Sequence, residues 1–263
     1  MRTIALPDAS RFVVLTDRTA IDTAETSRAD FVANASHELR TPLAAILGFI
    51  ETLSDPETGG DPATRERFLA VMDKEARRMQ RLVDDLMSLS RIEASKFRAP
   101  TDSIDLVELV DQVVGEIANG QDPRADDIAV NAEPALPSVL GDRAQLSQLL
   151  HNIVGNAMKY GRSATPVEIA IARDGHHMVT IRVSDHGEGI ASEHLPRLTE
   201  RFYRVDSARS RAAGGTGLGL SLAKHIVERH RGRIDIASRS GHGTQVTIAL
   251  PCNDDDGHAV TPS

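Results

Sequence analysis

"GDRAQLSQLLHNIVGNAMKYG", residues 141–161, decides how the larger part of the chain is read. Asp142, followed three residues later by Gln145, has the form of a capping box, and Gly161 closes the far end. The spacing therefore predicts a helix over 142–160. Leu146, Leu150, Ile153 and Ala157 fall within roughly 60° of arc, which makes them the buried stripe. Asn152, Asn156 and Lys159 share a second face roughly 100° away. Side-chain amides are poor helix formers, so two of them on one face ask for a reason. Their oxygens suit a hard cation such as Mg²⁺, and the lysine suits a phosphate. Taken alone, the same three residues also make an ordinary solvated face.

The segments downstream read as two hairpins and a helix. VEIAIARDG and HHMVTIRVSD pair around Asp174-Gly175. In VTIRVSDHGEGI (179–190), alternation puts Val179, Ile181, Val183 and Asp185 on one side of the strand. Asp185 then points inward at a strand end, where a carboxylate needs a strong partner. The exocyclic amine of a purine would serve, and so would the N–H groups of a Gly-rich turn. Gly187 and Gly189 allow close backbone approach. GGTGLGL (214–220) precedes a helix over 221–231, a geometry that favours phosphate, although flexible turns use the same pattern. RIDIASRSGHGTQVTIALP is the second hairpin, with GHGT (241–244) at its turn.

Upstream, DLVELVDQVVGEIA (105–118) predicts a helix and IAVNA (128–132) a short strand. This order of helices and mostly antiparallel strands implies an α+β layer. From about Thr23 to Lys96 the pattern is helical throughout. Phe31, Ala35, Leu39, Leu43, Ile46, Ile50 and Leu53 recur every three or four residues in the first helix. SDPETGGDP (54–62) breaks it, and Met72, Met79, Leu82, Leu86 and Leu89 mark a coiled-coil-like seam in the second. One such hairpin cannot cover its own apolar stripes. Two of them about a two-fold axis make a four-helix bundle, so a homodimer through residues 25–95 is expected. RFVVLT (11–16) reads as a strand, and residues 1–20 are too few for a domain of their own. The tail CNDDDGHAVTPS reads as disordered.

Bulk properties exclude several classes. The 263 residues carry a net charge of −8 and only 3% aromatics with no Trp, which argues against a nucleic-acid surface. The single cysteine, Cys252, excludes an internal disulfide framework and suits a reducing compartment. No apolar run approaches the roughly 18–20 residues that span a bilayer, and no signal peptide is evident. A cytoplasmic chain is expected, or the cytoplasmic part of something longer.

The combination of these signals is far more specific than any one. An N-x-x-x-N helix, then D-x-G-x-G, ERFYRVD, GTGLGL and GHGT resembles the ATP-binding domain of the sensor histidine kinases of two-component systems. FVANASHELRTPL (31–43) resembles the phosphoacceptor box of the same family. The likeness covers about 25–252 and extends, with VVLTDRTA, to the phosphate-regulon type, where a PAS domain ends just before the box.

The resemblance implies a fold and a set of roles. The fold is a helical hairpin forming a dimeric four-helix bundle (21–98), then an α+β sandwich of the GHKL or Bergerat type (99–253), with 1–20 a PAS end or flap and 254–263 a tail. His37, solvent-facing beside Asn34, Arg40 and Thr41, would accept the γ-phosphoryl group of ATP, with Glu38 orienting or accepting the other ring proton. Pro42 removes the helical hydrogen bond to residue 38 and would let the helix bend there. Asn152 and Asn156 would hold Mg²⁺ and the phosphates, and Lys159 and Arg204 would add positive charge. Asp185 would take the adenine amine, with Gly187, Gly189, Tyr160 and Thr244 shaping that pocket. Gly215, Thr216, Gly217, Leu218 and Gly219 would wrap the phosphates. The stretch 190–213, with Arg197, Arg201, Arg204, Arg209 and Arg211, would be a mobile lid. A response-regulator receiver domain is the implied partner. Thr41 gives the box an H-E-x-x-T form, which implies a phosphatase activity as well.

Two rivals remain at this level. Gyrase-, Hsp90- and mismatch-repair-type ATPases share the superfamily but use a glutamate on the asparagine helix to activate water. The corresponding residue here is Asn152, a poor base, and His151 points about 100° off that face. The other rival is a dimeric scaffold that has lost catalysis, but such proteins typically lose their ATP motifs, and this chain keeps them.

Overall fold

The computed structural model describes residues 2–5, 11–14, 19–55, 60–95, 98–120, 124–175, 177–206 and 215–253, with side chains from Asp30 onward. The expected tail from residue 254 onward and the lid residues Arg209 and Arg211 lie outside the described residues, whereas Cys252 and Asn253, read as the start of that tail, donate their N–H groups to the carbonyls of His177 and Ser138. Two compact units divide between Ala76 and Arg77.

In the first unit, β1 (Arg2–Ala5) pairs antiparallel with β2 (Arg11–Val14). Then come the long helix α1 (Thr19–Ser54) and the start of α2 (Pro62–Ser95). The division between the units thus falls inside α2. Asp61 caps α2 by accepting from the backbone N–H and the hydroxyl of Thr64. The rings of Phe49 and Phe68 lie 4.9 Å apart at 41° and tie the two helices together. α1 runs unbroken through Pro42. The proline's missing N–H affects only one rung of a helix held by many others, so it loosens the ladder locally without ending it. Val32, Leu43, Leu47, Ile50 and Leu69 remain exposed.

The second unit is a helical layer on a five-stranded sheet. Its elements are the rest of α2, β3 (Asp102–Ile104), α3 (Leu106–Asn119), β4 (Ile128–Ala132), β5 (Val139–Gly141) and α4 (Arg143–Tyr160). There follow β6 (Val167–Asp174), β7 (Met178–Asp185), α5 (Gly219–Arg229), β8 (Arg233–Ser238) and β9 (Thr244–Pro251). The sheet order is β4-β6-β7-β9-β8. Only β4–β6 is parallel, because α4 lies between them in sequence and supplies the crossover; the three other pairings are antiparallel. β3 and β5 form a separate two-stranded ribbon.

Alternation works as expected along the central strands. Val167, Ile169 and Ile171 of β6 and Val179, Ile181 and Val183 of β7 are buried. They meet Leu146, Leu150, Ile153 and Ala157 of α4 and Leu222, Ala223 and Ile226 of α5 in one core. Asp105 caps α3, accepting from the N–H groups of Val107 and Glu108. Asp142 caps α4, accepting from the N–H of Gln145 at 3.2 Å. The second half of the expected capping box is absent. The N–H of Asp142 donates instead to Nε2 of the buried His230, at 3.0 Å. With Arg229, whose Nη1 donates to Asp142 Oδ2 at 3.3 Å, it joins the start of α4 to the end of α5.

Candidate active site

A cavity of about 1100 Å³ opens where α4, the end of β7, the β8–β9 hairpin and the Gly-rich stretch before α5 converge. Asn152, Asn156, Lys159 and Tyr160 line it from α4, and Asp185, Gly189 and Thr244 from the sheet side. Arg204, Gly215, Thr216, Gly217 and Gly219 complete the opposite wall. Of the residues expected at the nucleotide, only Gly187 and Leu218 are not on the wall. Leu218 is fully buried and belongs to the core. Gly187 answers a different need: a Cβ there would lie 2.2 Å from the carbonyl oxygen of Tyr160. The close approach it permits is of protein to protein, pressing the turn after β7 against the end of α4.

Asp185 is held at the inner end. It is only 9% exposed. Its Oδ1 accepts from the N–H of Gly187 at 2.8 Å and from that of Thr244 at 3.3 Å. Among the described residues Oδ2 has no hydrogen-bond partner. Burial pushes the carboxyl up from its ordinary range, against the pull of those two N–H groups and of His186 and Arg124. A hydrogen-bond donor arriving from the cavity has one natural acceptor here.

The Gly-rich stretch is gripped from two sides. The N–H of Phe202 donates to the carbonyl of Gly217 at 2.8 Å, and Arg204 Nη2 to that of Thr216 at 2.8 Å. Gly217 has φ +76°, and a Cβ on it would lie 2.9 Å from Cα of Phe202. Asn152 Nδ2 donates to the carbonyl of Gly219 at 3.4 Å, so the amide helix touches the first residue of α5. Lys159 places its ammonium 4.8 Å from the centre of the Tyr160 ring, which leaves a cation at the edge of the cavity.

Asp85 of α2 also enters this site. The hydroxyl of Thr216 donates to Asp85 Oδ2 at 2.8 Å, and Asp84 and Arg81 stand beside it on the cavity wall. Burial raises Asp85 from the ordinary carboxylate range; the Thr216 bond opposes this, Asp84 adds to it, and Arg81 opposes it in turn. Gln148 donates to Ser88 at 3.2 Å, and Arg201 pairs with Glu93. In α2 these residues read as a solvated face, so local pattern gives no sign of them.

On α1, His37 is exposed, as is Thr41 one turn later. The Thr41 hydroxyl donates to the carbonyl of His37 at 3.2 Å. Glu38 is half-buried. Asn152 and Asn156 give amide oxygens one turn apart on the cavity wall. Among the described residues no cluster of three or more His, Cys, Asp or Glu side chains is placed to bind a metal. That donor set fits a Mg²⁺ held mainly by phosphate oxygens and water, not a dedicated metal cage.

Two family models cover most of the chain. Residues 27–95 match the His Kinase A (phospho-acceptor) domain. Residues 141–254 match the histidine kinase-, DNA gyrase B- and HSP90-like ATPase domain. The chain belongs to the sensor histidine kinase family. The first match excludes a plain gyrase- or HSP90-type ATPase, which the second alone would allow.

Curated relatives of this sensor histidine kinase agree. The phosphate regulon sensor protein PhoR of Pseudomonas aeruginosa is 39% identical over 237 residues, covering 89% of this chain and 52% of the relative. Sensor protein kinase WalK of Staphylococcus saprophyticus is 38% identical over 244 residues, 91% of this chain and 39% of the relative. Sensor-like histidine kinase SenX3 of Mycolicibacterium smegmatis is 37% identical over 249 residues, 93% and 63%. The chain therefore spans between two fifths and two thirds of these relatives. The likeness to the phosphate-regulon type is real but is shared at similar identity with the other two. Among solved structures, full-length ShkA in complex with AMPPNP matches with TM-score 0.60 and 25% identity, covering 85% of this chain and 46% of that one. Histidine kinase AdeS of Acinetobacter baumannii shares the fold, with TM-score 0.63 over 82% of this chain and 98% of that one.

Proposed function

We propose that this histidine kinase binds ATP in the cavity around Asp185, phosphorylates His37 and passes the phosphoryl group to an aspartate of a response-regulator receiver domain. The observation that carries the nucleotide reading is Asp185. It is a buried carboxylate with one oxygen held by two backbone N–H groups and the other without a partner among the described residues, on the wall of a nucleotide-sized cavity. An adenine amine supplies the donor that Oδ2 lacks. ShkA, a solved relative, holds the ATP analogue AMPPNP.

Phosphoryl transfer demands position and charge neutralisation more than covalent help from the protein. Lys159 and Arg204 supply positive charge, and Gly215, Thr216, Gly217 and Gly219 line the same space. Asn152 and Asn156 would offer oxygens to Mg²⁺, which neutralises phosphate charge when bound. The lone pair of a neutral His37 nitrogen attacks Pγ, the Pγ–O bond to ADP breaks, and ADP leaves with that electron pair. The imidazole proton passes to Glu38 or to water. An exposed His37 is accessible both to the kinase domain and afterwards to a receiver.

A homodimer through 25–95 would cover Val32, Leu43, Leu47, Ile50 and Leu69, the apolar residues that one hairpin leaves in water. No helix of the described residues is long and apolar enough to cross a membrane. The place of action we propose is the cytoplasm. A second activity, dephosphorylation of the receiver, is favoured by the exposed Thr41 one turn from His37. Thr41→Ala should lose it and keep autophosphorylation.

The deciding experiment is incubation with γ-labelled ATP and Mg²⁺, for wild type and His37→Gln. Acid-labile, alkali-stable label on wild type alone is expected. Label on neither, with phosphate released, would mean an ATPase and would overturn the proposal.

A further inference from the structure

Arg124 stands in the short turn between α3 and β4, outside the nucleotide motifs. Its guanidinium does not face solvent. Nη1 donates to the carbonyls of Met158 and of Gly161, the latter at 2.9 Å. Nη2 donates to those of Arg162 at 3.0 Å and Thr165 at 3.3 Å. Nε donates to Asp127 at 2.9 Å. One side chain thus binds four carbonyls at the end of α4 and in the turn beyond it.

A helix ends with carbonyls that have no partner within the helix. A glycine in the left-handed conformation usually resolves this, but Gly161 has φ −63° and ψ 152°, which is extended. Arg124 does the work instead, and its charge suits a helix C-terminus. That last turn carries Lys159 and Tyr160 on the cavity wall, and its Tyr160 carbonyl is the one pressed against Gly187. A Cβ on Gly161 would lie 3.4 Å from Asp185 Cβ and 3.5 Å from Arg124 Nη1. Gly161 is therefore a single backbone layer between the arginine and the aspartate.

We propose that Arg124 is a positioning residue for the nucleotide base: by clamping the end of α4 it fixes the Asp185–Gly187 turn against Tyr160, and so sets the preference for a 6-amino over a 6-oxo purine. The inference rests on the reading of Asp185 as the base acceptor. A guanidinium is needed because its planar fork reaches several acceptors at once; a lysine carries the charge but not the span.

The test is calorimetric titration of the full chain with ATP and with ITP, which differ at the purine 6-position, alongside thermal melting. Wild type, Arg124→Met and Arg124→Lys are compared. Wild type should prefer ATP. In Arg124→Met the affinity for ATP should fall about tenfold, with ITP little changed, so that the preference collapses. Arg124→Lys should also lose most of it. A lowered melting temperature with the ATP/ITP ratio intact would reduce Arg124 to a structural cap and overturn the proposal. Full recovery of the ratio in Arg124→Lys would overturn the clamp in favour of charge alone. No ATP preference in wild type would overturn the Asp185 reading itself, and the proposal with it, a result that the Arg124 variants cannot imitate.

Discussion

Replacing His230 by leucine tests the joint between α4 and α5, the two helices that carry the amides and follow the Gly-rich stretch. His230 is 3% exposed. Its Nδ1 donates to the carbonyl of Ile226 at 2.7 Å while Nε2 accepts from the N–H of Asp142. The ring is therefore neutral with its proton on Nδ1, because a protonated ring would set two donors face to face. Leucine keeps much of the volume but leaves the Asp142 N–H without its acceptor, at a cost of about 1–3 kcal/mol. The Ile226 carbonyl keeps the backbone N–H of residue 230, so its loss is smaller. A net loss of about 2 kcal/mol at pH 7.5 should lower the melting temperature by about 4–8 °C for a unit of this size. Acid changes the comparison. Burial depresses His230 below its ordinary value of 6.5, so the unfolded chain takes up this proton first. Wild-type stability is fully present above 6.5 and falls as pH drops towards the folded value, by at most about 1.4 kcal/mol at pH 5.5. His230→Leu has no such loss, and every other titrating group is common to both proteins. The gap between the two melting curves, followed by circular dichroism without nucleotide, should therefore narrow from pH 7.5 to pH 5.5. A gap that stays constant, or widens, would refute the neutral buried ring.

Three further variants follow from the cavity. Asp185→Asn should keep the bonds to Gly187 and Thr244 through its amide oxygen and turn an NH₂ towards the base, so ATP affinity should fall and the ATP/ITP preference should shift towards ITP in calorimetry; an unchanged ratio would refute Asp185 as base acceptor. Asp85→Asn removes a charge beside the phosphate end while still accepting from Thr216. Since burial raises Asp85, its ionised form weakens the fold progressively as pH rises through its folded value, so at pH 7.5 the variant should melt higher and bind a fluorescent ATP analogue several-fold more tightly; weaker binding would refute this. Gly187→Ala puts a methyl 2.2 Å from the Tyr160 oxygen, backbone against backbone, and should lower nucleotide affinity more than tenfold, read in the same titration.

What was legible in the sequence had a short period. The helices of 19–95, the stripe of α4 and the inward Asp185 all follow from repeats of 3.6 or 2, which act between near neighbours. The ribbon of β3 with β5 did not, because three residues are too few to display alternation. The parallel pairing of β4 with β6 was hidden for another reason: a strand's periodicity does not name its partner, and only the α4 crossover decides it. Asp85, Arg124 and His230 escaped for a third. Their partners lie 131, 34–41 and 88 residues away, and each sits in a local pattern with an ordinary explanation.

The capping box at α4 locates the boundary between the two kinds of information. Asp142 and Gln145 are three residues apart, and the half in which Asp142 accepts is formed as local chemistry requires. The reciprocal half competes for a different atom, the Asp142 N–H, and there His230 prevails. Burial favours that outcome. A ring already held between two helices loses little further entropy when it accepts a hydrogen bond, and the Gln145 Oε1 is left buried without a partner among the described residues. The local signal was thus sufficient to start the helix and insufficient to say what else holds its first turn. His230→Leu should expose this directly: with the imidazole gone, the freed N–H can turn to the Gln145 side chain. A second substitution, Gln145→Ala, should then cost more stability in the His230→Leu background than in wild type. Equal costs in the two backgrounds would mean that the glutamine never competes for that N–H.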